Sequence, residues 1–491
     1  MPIKHCYIAV DLGAESGRVM LGTLEAGRLE LLEAHRFPNG SVPQGDSIRW
    51  DIGRLFAEID QGIARAAGRA GGRLEAVGVD SWGVDFGLLD EDDRLIEPPY
   101  HYRDSRTDGM MERAFERLPR REFYGRTGIQ FLPINSVFQL LAMRLAGDPV
   151  LERAKRLLFI ADLVNWHLCG QRLAEYTLAS TSQMMDMRTG CWSEAVLSAL
   201  ELPADILPDI VLPGTGIGEL RPELARRIGV RPLPVVAVGA HDTASAVAAV
   251  PAEGDRWAYL SSGTWSLLGV ERDRPMITDE TFEAAFTNEG GVEGTFRLLK
   301  NIMGLWPLQE CRRQWASEGM TFAYEALTAM AEASEPFAAA LDPCDDAFLA
   351  PGNMPARINE HMAAHARTPF ADRGGMVRAI LEGLALAYRR HVRQLESVVG
   401  HGVDALHVVG GGSRNGLLNR FTADATERPV VAGPVEATAI GNVLMQALAT
   451  GRVDSIEEAR AVVCRSFPTQ RYEPGDPEVW RHEEERRLPA D

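Results

Sequence analysis

YIAVDLGAESGRVMLG, Tyr7–Gly22, reads as an apolar strand that breaks at a small polar turn and resumes as a second strand. That is the pattern of a hairpin, not of a strand feeding a helix. The same pattern returns 250 positions later as WAYLSSGTWSLLGV, Trp257–Val270. When the two are overlaid, Tyr7–Val10 falls on Trp257–Leu260, Gly13 on Gly263 and Ser16 on Ser266. The chain therefore reads as a duplicated domain. A turn of this composition exposes backbone N–H groups and hydroxyls, which hold phosphate oxygens. Two such turns predict a nucleotide clamp.

Bulk properties are compatible with this and disfavour several rivals. With 491 residues the chain has room for two or three domains, each with its own core. Apolar residues make up 45% and charged residues 24%, ordinary values for a globular protein. A surplus of 69 acidic over 51 basic side chains gives a net charge of −18, so a nucleic-acid partner is not expected. No apolar run reaches the ~18 residues of a membrane span, and Asp11 interrupts the one candidate export core. Six scattered cysteines without a CxxC fit a reduced, cytoplasmic setting. None of the three lysines, Lys4, Lys155 and Lys300, follows a glycine, which excludes a Walker A loop.

Between the hairpins, strands and helices alternate, as in layered α/β domains. Asn135 or Ser136 is placed to cap a helix with Val137, Leu140, Leu141 and Leu145 on its apolar face. PGTGIGEL from Pro213 reads as a connector, and the second domain is expected to start near 247. Val377, Ile380, Leu381, Leu384 and Tyr388 form a buried stripe of one long helix. The final WRHEEERRLPAD reads as a solvated charged end. The domain plan is thus 1–246, 247–475 and a charged tail, 476–491.

Four places carry chemistry. Asp11, beside Gly13, Ser16, Gly17 and Arg18, stands at a strand end where a carboxylate can hold hydrated Mg²⁺; an ordinary Asp-containing turn would look the same. LHVVGGGSRNGLLNRFTADA, Leu406–Ala425, runs a strand into three glycines and a helix that Ser413 could cap, which suits a nucleotide, though a tight strand-to-helix connection is the alternative. VVAVGAHDTASAVAAV, Val235–Val250, delivers His241, Asp242 and Thr243 at a strand end. Ligands gather at such ends in open sheets, so Asp242 is a candidate general base, with an N-cap as its plainer role. Last, Asp80, Trp82, Gly83, Asp85, His101, Arg103, Asp104, Arg106, Gln130 and Phe131 suggest a polyol pocket. His361 and His365, spaced i and i+4, lack a third ligand nearby in sequence and are not read as a metal site.

The blocks DLGAESGR, DSWGVDF, YRDSRT, GIQFLPINSVFQLL, AHDTASAV, YLSSGTWSLLG, TNEGG, LKNIMGLW, VGGGSRN and AGPVEATAIGN, in this order from about Ile8 to Gly451, resemble the FGGY family of carbohydrate kinases. Within it they most resemble members acting on L-rhamnulose. The resemblance implies an α/β protein of two actin-like (ribonuclease H-like) domains with a catalytic cleft between them, using ATP and Mg²⁺. Its partners would be a ketose sugar and ATP, with no nucleic acid or membrane, in a monomer or homodimer. Carried onto this chain, Asp242 would be the catalytic base and Asp11 would act near the metal. Ala14, Glu15, Ser16, Gly17, Arg18, Thr264, Gln309 and Gly411 would contact ATP; Gly83, His241, Asp242, Thr243 and Asn301 would contact the sugar.

Two positions depart from the family pattern. Most members carry Thr or Ser where this chain has Ala14 and Glu15, so the first turn offers fewer hydroxyls, and Glu15 would repel phosphate unless it turns outward or toward the metal. Many also carry Lys where this chain has Gln139. A kinase of the same fold for L-fuculose, D-xylulose or glycerol, or a non-catalytic actin-like ATP-binding protein, are the alternative readings.

Overall fold

The computed structural model of the chain describes residues 3–339 and 341–487. They form two compact units, each assembled from separated stretches of sequence: Met1–Pro251, Glu271–Leu298 and Ala437–Ser466 make the first, and Ala252–Val270, Leu299–Glu436 and Phe467–Asp491 the second.

In the first unit, β1 (His5–Leu12), β2 (Ser16–Glu25), β3 (Arg28–Pro38), β4 (Arg73–Ser81), β5 (Thr215–Glu219) and β6 (Pro234–Ala237) build one sheet in the order β5-β6-β4-β1-β2-β3. β1 and β2 form the expected hairpin, and β1 runs parallel to β4, which runs parallel to β6. Seven of the eight β1 residues are buried, because a central strand covered on both faces needs an unbroken apolar run and Cys6–Val10 supplies one. PGTGIGEL is not a connector: Thr215–Glu219 pairs antiparallel with β6 as an edge strand, and its glycines suit the register shift between Gly216 and Gly218.

Helices cover both faces of this sheet. Ile52–Arg69 turns Ile52, Leu55, Ile59, Ile63 and Ala66 inward, and Asp51 caps it by accepting from the Arg54 N–H at 3.0 Å. A Cβ on its Gly62 would lie 2.3 Å from Val19. On β2, three residues from Val19 and therefore on the opposite face, a Cβ on Gly22 would strike Val443 of the helix Ala437–Ala449 at 2.7 Å. That helix also lies against the helix Asp242–Ala248, so closely that a Cβ on Gly441 would stand 1.8 Å from the Ser245 carbonyl oxygen. Gly441 is therefore what lets the two helices meet.

In the second unit β7 (Trp257–Ser262), β8 (Trp265–Arg272), β9 (Phe296–Met303), β10 (Ala405–Val409), β11 (Val430–Ala432) and β12 (Gln470–Tyr472) run in the order β9-β8-β7-β10-β11-β12. β7 and β8 form the second hairpin. The helix Arg373–Val399 buries the whole expected stripe, from Val377 to Tyr388. Two local expectations fail. The helix Gly416–Thr426 is capped by Asn415, whose side chain accepts from the Leu418 N–H at 3.0 Å, while the Ser413 hydroxyl donates to the Gly410 carbonyl. The charged end is not simply solvated: Pro477–Arg487 is a helix with Trp480 buried against Phe337 and Phe421, and Glu484 accepts from Arg389 at 2.6 Å. Residues 488–491 of that stretch lie outside the described residues. Among the described residues no helix is long and apolar enough to cross a membrane.

Gly441→Ala should destabilise the protein by about 1–3 kcal/mol, because backbone cannot retreat as a flexible side chain can. Gly68→Ala, exposed near a helix end with nothing within 4 Å, should be neutral or stabilising by about 0.4–1 kcal/mol. Urea unfolding of both variants checks the contrast.

Candidate active site

The first turn is braced from outside. Gly13 N–H donates to the Ser16 carbonyl at 3.0 Å, Asn39 N–H donates to the Glu15 carbonyl at 2.9 Å, and the Asn39 side chain donates to the Gly13 carbonyl at 2.9 Å. Gly17 admits no side chain, since a Cβ there would lie 2.2 Å from the Phe37 ring. Ala14 is half-buried, Ser16 is half-buried and Glu15 is exposed, so the acidic departure from the family pattern sits on the outside of the turn. Asp11 is buried at the end of β1 and receives the Arg18 guanidinium from its cross-strand partner position.

Beside it, the parallel register of β1 and β4 sets Asp80 next to Asp11. Asp80 is wholly buried, and its Oδ2 accepts from the Asn442 side chain at 2.6 Å while Oδ1 has no hydrogen-bond partner. Burial, with the Asp11 and Asp242 carboxylates nearby, raises its pKa well above the ordinary value against the Asn442 hydrogen bond. The next residue, Ser81, bridges to His241, which brings the third strand end to the same edge.

His241 is buried and Asp242 opens the helix Asp242–Ala248, so Asp242 is not its N-cap. The Asp242 side chain is 33% exposed, within reach of a ligand, and accepts from the Thr243 hydroxyl at 3.0 Å. The approach to it is held rigidly. Glu175 Oε2 accepts from the Ala240 N–H at 3.2 Å and the Thr177 hydroxyl at 2.6 Å, and Thr177 Oγ1 accepts from the His241 N–H at 3.1 Å. Burial pushes the Glu175 carboxyl up to about 7 despite these donors.

The aromatic set in this unit converges on Asp85. Its Oδ2 accepts from Trp50 at 2.7 Å, Trp82 at 3.0 Å and the Tyr102 N–H at 3.1 Å; Oδ1 accepts from Gln139 at 3.0 Å. Arg106 donates to the Gln139 carbonyl at 2.7 Å, so glutamine joins a guanidinium to a carboxylate here. The rings of Trp50 and Trp82 lie 4.1 Å apart, and His101 stacks on Trp50 at 4.4 Å. Burial lowers the His101 pKa to about 4, leaving a neutral ring at pH 7. Gly83 allows a tight approach, a Cβ there lying 3.1 Å from Thr181 Oγ1. Val84 follows at φ 67°, a costly conformation for a β-branched residue. It is held by Thr181 Oγ1, which accepts from its N–H at 3.1 Å, and by the Ser136 hydroxyl, which donates to its carbonyl at 2.5 Å. A conformation so costly persists only because these partners over-determine it. Asp104 caps a short turn, and Asn135 spends its side chain on Gln130 and Gln183, not on capping the helix Ser136–Ala146.

The other residues expected to contact ATP or the sugar lie in the second unit. Thr264 sits in the β7–β8 turn, where its carbonyl accepts from the Gly304 and Trp306 N–H groups at 3.2 and 3.3 Å. Gln309, one turn into the helix Trp306–Ser317, keeps Oε1 buried without a hydrogen-bond partner. Asn301 lies on β9 and is half-buried. Gly410 has φ 82°, a Cβ on Gly412 would lie 2.0 Å from Ser262 Oγ, and Gly411 between them is exposed with nothing within 4 Å. The glycine turn thus lies flat on β7 and leaves bare backbone facing outward. The rings of His361 and His365 lie 4.2 Å apart and tilted by 36°, and among the described residues no group of three or more His, Cys, Asp or Glu side chains is arranged to hold a metal.

The sequence singled out Asp80 and Asp85 but none of Asn39, Glu175, Thr177 or Asn442 as members of this arrangement, nor Glu289 and Arg297, which lie 3.1 Å from His241 Nδ1. Glu289 and Asn442 fall in the TNEGG and AGPVEATAIGN blocks, where the resemblance offered a signal.

Residues 6–249 match the N-terminal domain, and residues 258–450 the C-terminal domain, of the FGGY family of carbohydrate kinases. A protein of Bacteroides thetaiotaomicron named rhamnulokinase is 45% identical over 478 residues, covering 97% of this chain and 98% of that protein. A rhamnulokinase of Bacillus subtilis is 37% identical, covering 96% of each. Among solved structures, a xylulose kinase from Lactobacillus acidophilus superposes with a TM-score of 0.79 at 16% identity, covering 98% of this chain and 96% of that one. A Plasmodium falciparum glycerol kinase with ADP gives 0.78 at 15% identity, covering 99% and 97%. The chain belongs to the FGGY family of carbohydrate kinases and has their two-domain, actin-like fold. It is accordingly an enzyme that phosphorylates a sugar with ATP.

Asp85 makes a pH-dependent contribution to stability. Its folded pKa, about 6, lies above the ordinary 3.8, so the folded state binds the proton more tightly. Stability from this group is then fully present below about pH 3.8 and is lost as pH rises through about 6, by roughly 3 kcal/mol. Chemical unfolding at pH 4.5 and 7, which spans about 2 kcal/mol of this loss, should show a smaller difference in Asp85→Asn.

Proposed function

We propose that this kinase transfers the γ-phosphoryl group of ATP to O1 of L-rhamnulose, giving L-rhamnulose 1-phosphate and ADP. The bond from O1 to phosphorus forms as the bond to the ADP oxygen breaks, and Asp242 accepts the O1 proton. One observation carries the mechanism: Asp242 is a partly exposed carboxylate at a strand end, with the preceding backbone clamped by Glu175 and Thr177. Phosphoryl transfer asks mainly for positioning and charge neutralisation, which a rigid mount supplies. The choice of sugar draws on the relatives named rhamnulokinase, 36–45% identical over nearly the whole chain.

His241, Thr243, Gly83 and Asn301 are assigned to the sugar. Ala14, Glu15, Ser16, Gly17, Arg18, Thr264, Gln309 and Gly411 are assigned to ATP. The buried, unpartnered Gln309 Oε1 suits a donor such as the adenine amino group. Mg²⁺ fits the donor set, because it takes one or two carboxylates together with water and phosphate oxygens and needs no all-protein cage. Asp11 would hold it, with Asp80 alongside; when bound it neutralises charge on the phosphates. The net charge of −18 supports the absence of a nucleic-acid partner, and the protein is taken as a cytoplasmic monomer or homodimer without membrane partners.

Asp242→Asn should lower kcat by about 10²–10⁴-fold while ATP still binds. A coupled ADP assay with L-rhamnulose, L-fuculose, D-xylulose and glycerol should give the highest kcat/KM with L-rhamnulose. A fully active Asp242→Asn would remove the base, and a better substrate among the other three would replace the sugar.

A further inference from the structure

Behind His241 lies a buried charged group that the proposed reaction does not use directly. Arg297 is 0% exposed, Glu289 4% and His241 7%, and all three belong to the first unit. Arg297 Nε donates to the Gly290 carbonyl at 2.8 Å. Its Nη2 donates to His241 Nδ1 at 3.1 Å and stands 3.1 Å from Glu289 Oε2. Glu289 Oε2 is also 3.1 Å from His241 Nδ1, but it makes no directed hydrogen bond there. On its far side, His241 Nε2 lies 3.4 Å from Asp242 Oδ1.

These contacts decide where the ring proton sits. A guanidinium N–H can only donate, so a ring nitrogen that meets it must accept. Nδ1 is then the acceptor, and in the neutral ring the proton is on Nε2. Burial alone would raise the Glu289 carboxyl, and the charge of the Arg297 guanidinium is the largest influence holding it below its ordinary value. Glu289 is thus the counter-charge that allows a guanidinium to be buried here.

We propose that Arg297 and Glu289 are positioning residues that fix His241 as the Nε2–H tautomer, so that the ring presents a hydrogen-bond donor beside the Asp242 carboxylate. The proposal rests on Asp242 being the base. A sugar hydroxyl at this point accepts from Nε2–H and turns its own proton toward Asp242. In the opposite tautomer Nε2 would be a second acceptor competing for that proton. The pair therefore sets the direction of the acceptor hydroxyl without touching the sugar.

The test is a long-range ¹H–¹⁵N correlation spectrum of the full-length protein labelled with ¹⁵N-histidine at pH 8, with His241 assigned by its loss in His241→Asn. The expected pattern is a protonated Nε2 and an unprotonated Nδ1; a protonated Nδ1 in the wild type overturns the proposal. Arg297→Met combined with Glu289→Leu removes both charges together, which avoids stranding one of them in the core. It should lose the single tautomer and lower kcat by about 10²-fold while leaving the KM for ATP unchanged. Retention of both the tautomer and kcat in this variant also overturns the proposal. The wild-type spectrum decides the tautomer whether or not the double variant folds. It does so independently of Asp242→Asn, so a failure of the base assignment is distinguishable from a failure of this one.

Discussion

Three carboxylates brought to one edge of the first unit's sheet are the constraint around which that unit is arranged. Register, not local sequence, puts them there: β1 and β4 run parallel with Asp11 opposite Asp80, and the bridge from Ser81 to His241 adds the strand end that carries Asp242. Burial first, and after it repulsion from the neighbouring carboxylates, raises the Asp80 pKa. The protein supplies the Arg18 guanidinium and the Asn442 amide against this charge, and a cation arriving with a nucleotide would supply more. Behind the edge, Gly441 packs so closely on the Ser245 backbone that a Cβ there has no room.

Rigidity follows the same edge. Glu175 and Thr177 tie down the backbone before Asp242, Asn39 ties down the first turn, and Thr181 with Ser136 holds Val84 in a left-handed conformation it would not choose alone. Each device fixes backbone rather than adding a reactive group. That is the economy expected of a phosphotransferase, whose chemistry depends on alignment more than on covalent participation.

Much of this was legible in the sequence because it is local. Both hairpins, the His241-Asp242-Thr243 strand end and the stripe of Arg373–Val399 follow from alternation, turn residues and helical spacing. What escaped was nonlocal. Asn442 meets Asp80 across 362 positions, Arg297 meets His241 across 56, and no periodicity connects such residues. Local readings also failed where two residues compete for one role: Asn415 caps where Ser413 was expected, since a 3₁₀ turn over Gly411–Arg414 delays the helix. The glycines of Thr215–Glu219 suggested a connector because an edge strand tolerates residues that a central strand would not.

In the proposed reaction Asp242 acts on a proton while the phosphoryl group passes directly from ATP to the sugar. A carboxylate so placed could instead attack phosphorus itself, and stereochemistry separates the two. With ATP made chiral at the γ-phosphorus by sulfur and oxygen isotopes, one in-line transfer predicts a sugar phosphorothioate of inverted configuration. Retention of configuration would mean two successive displacements through a phosphorylated enzyme, and would contradict the account.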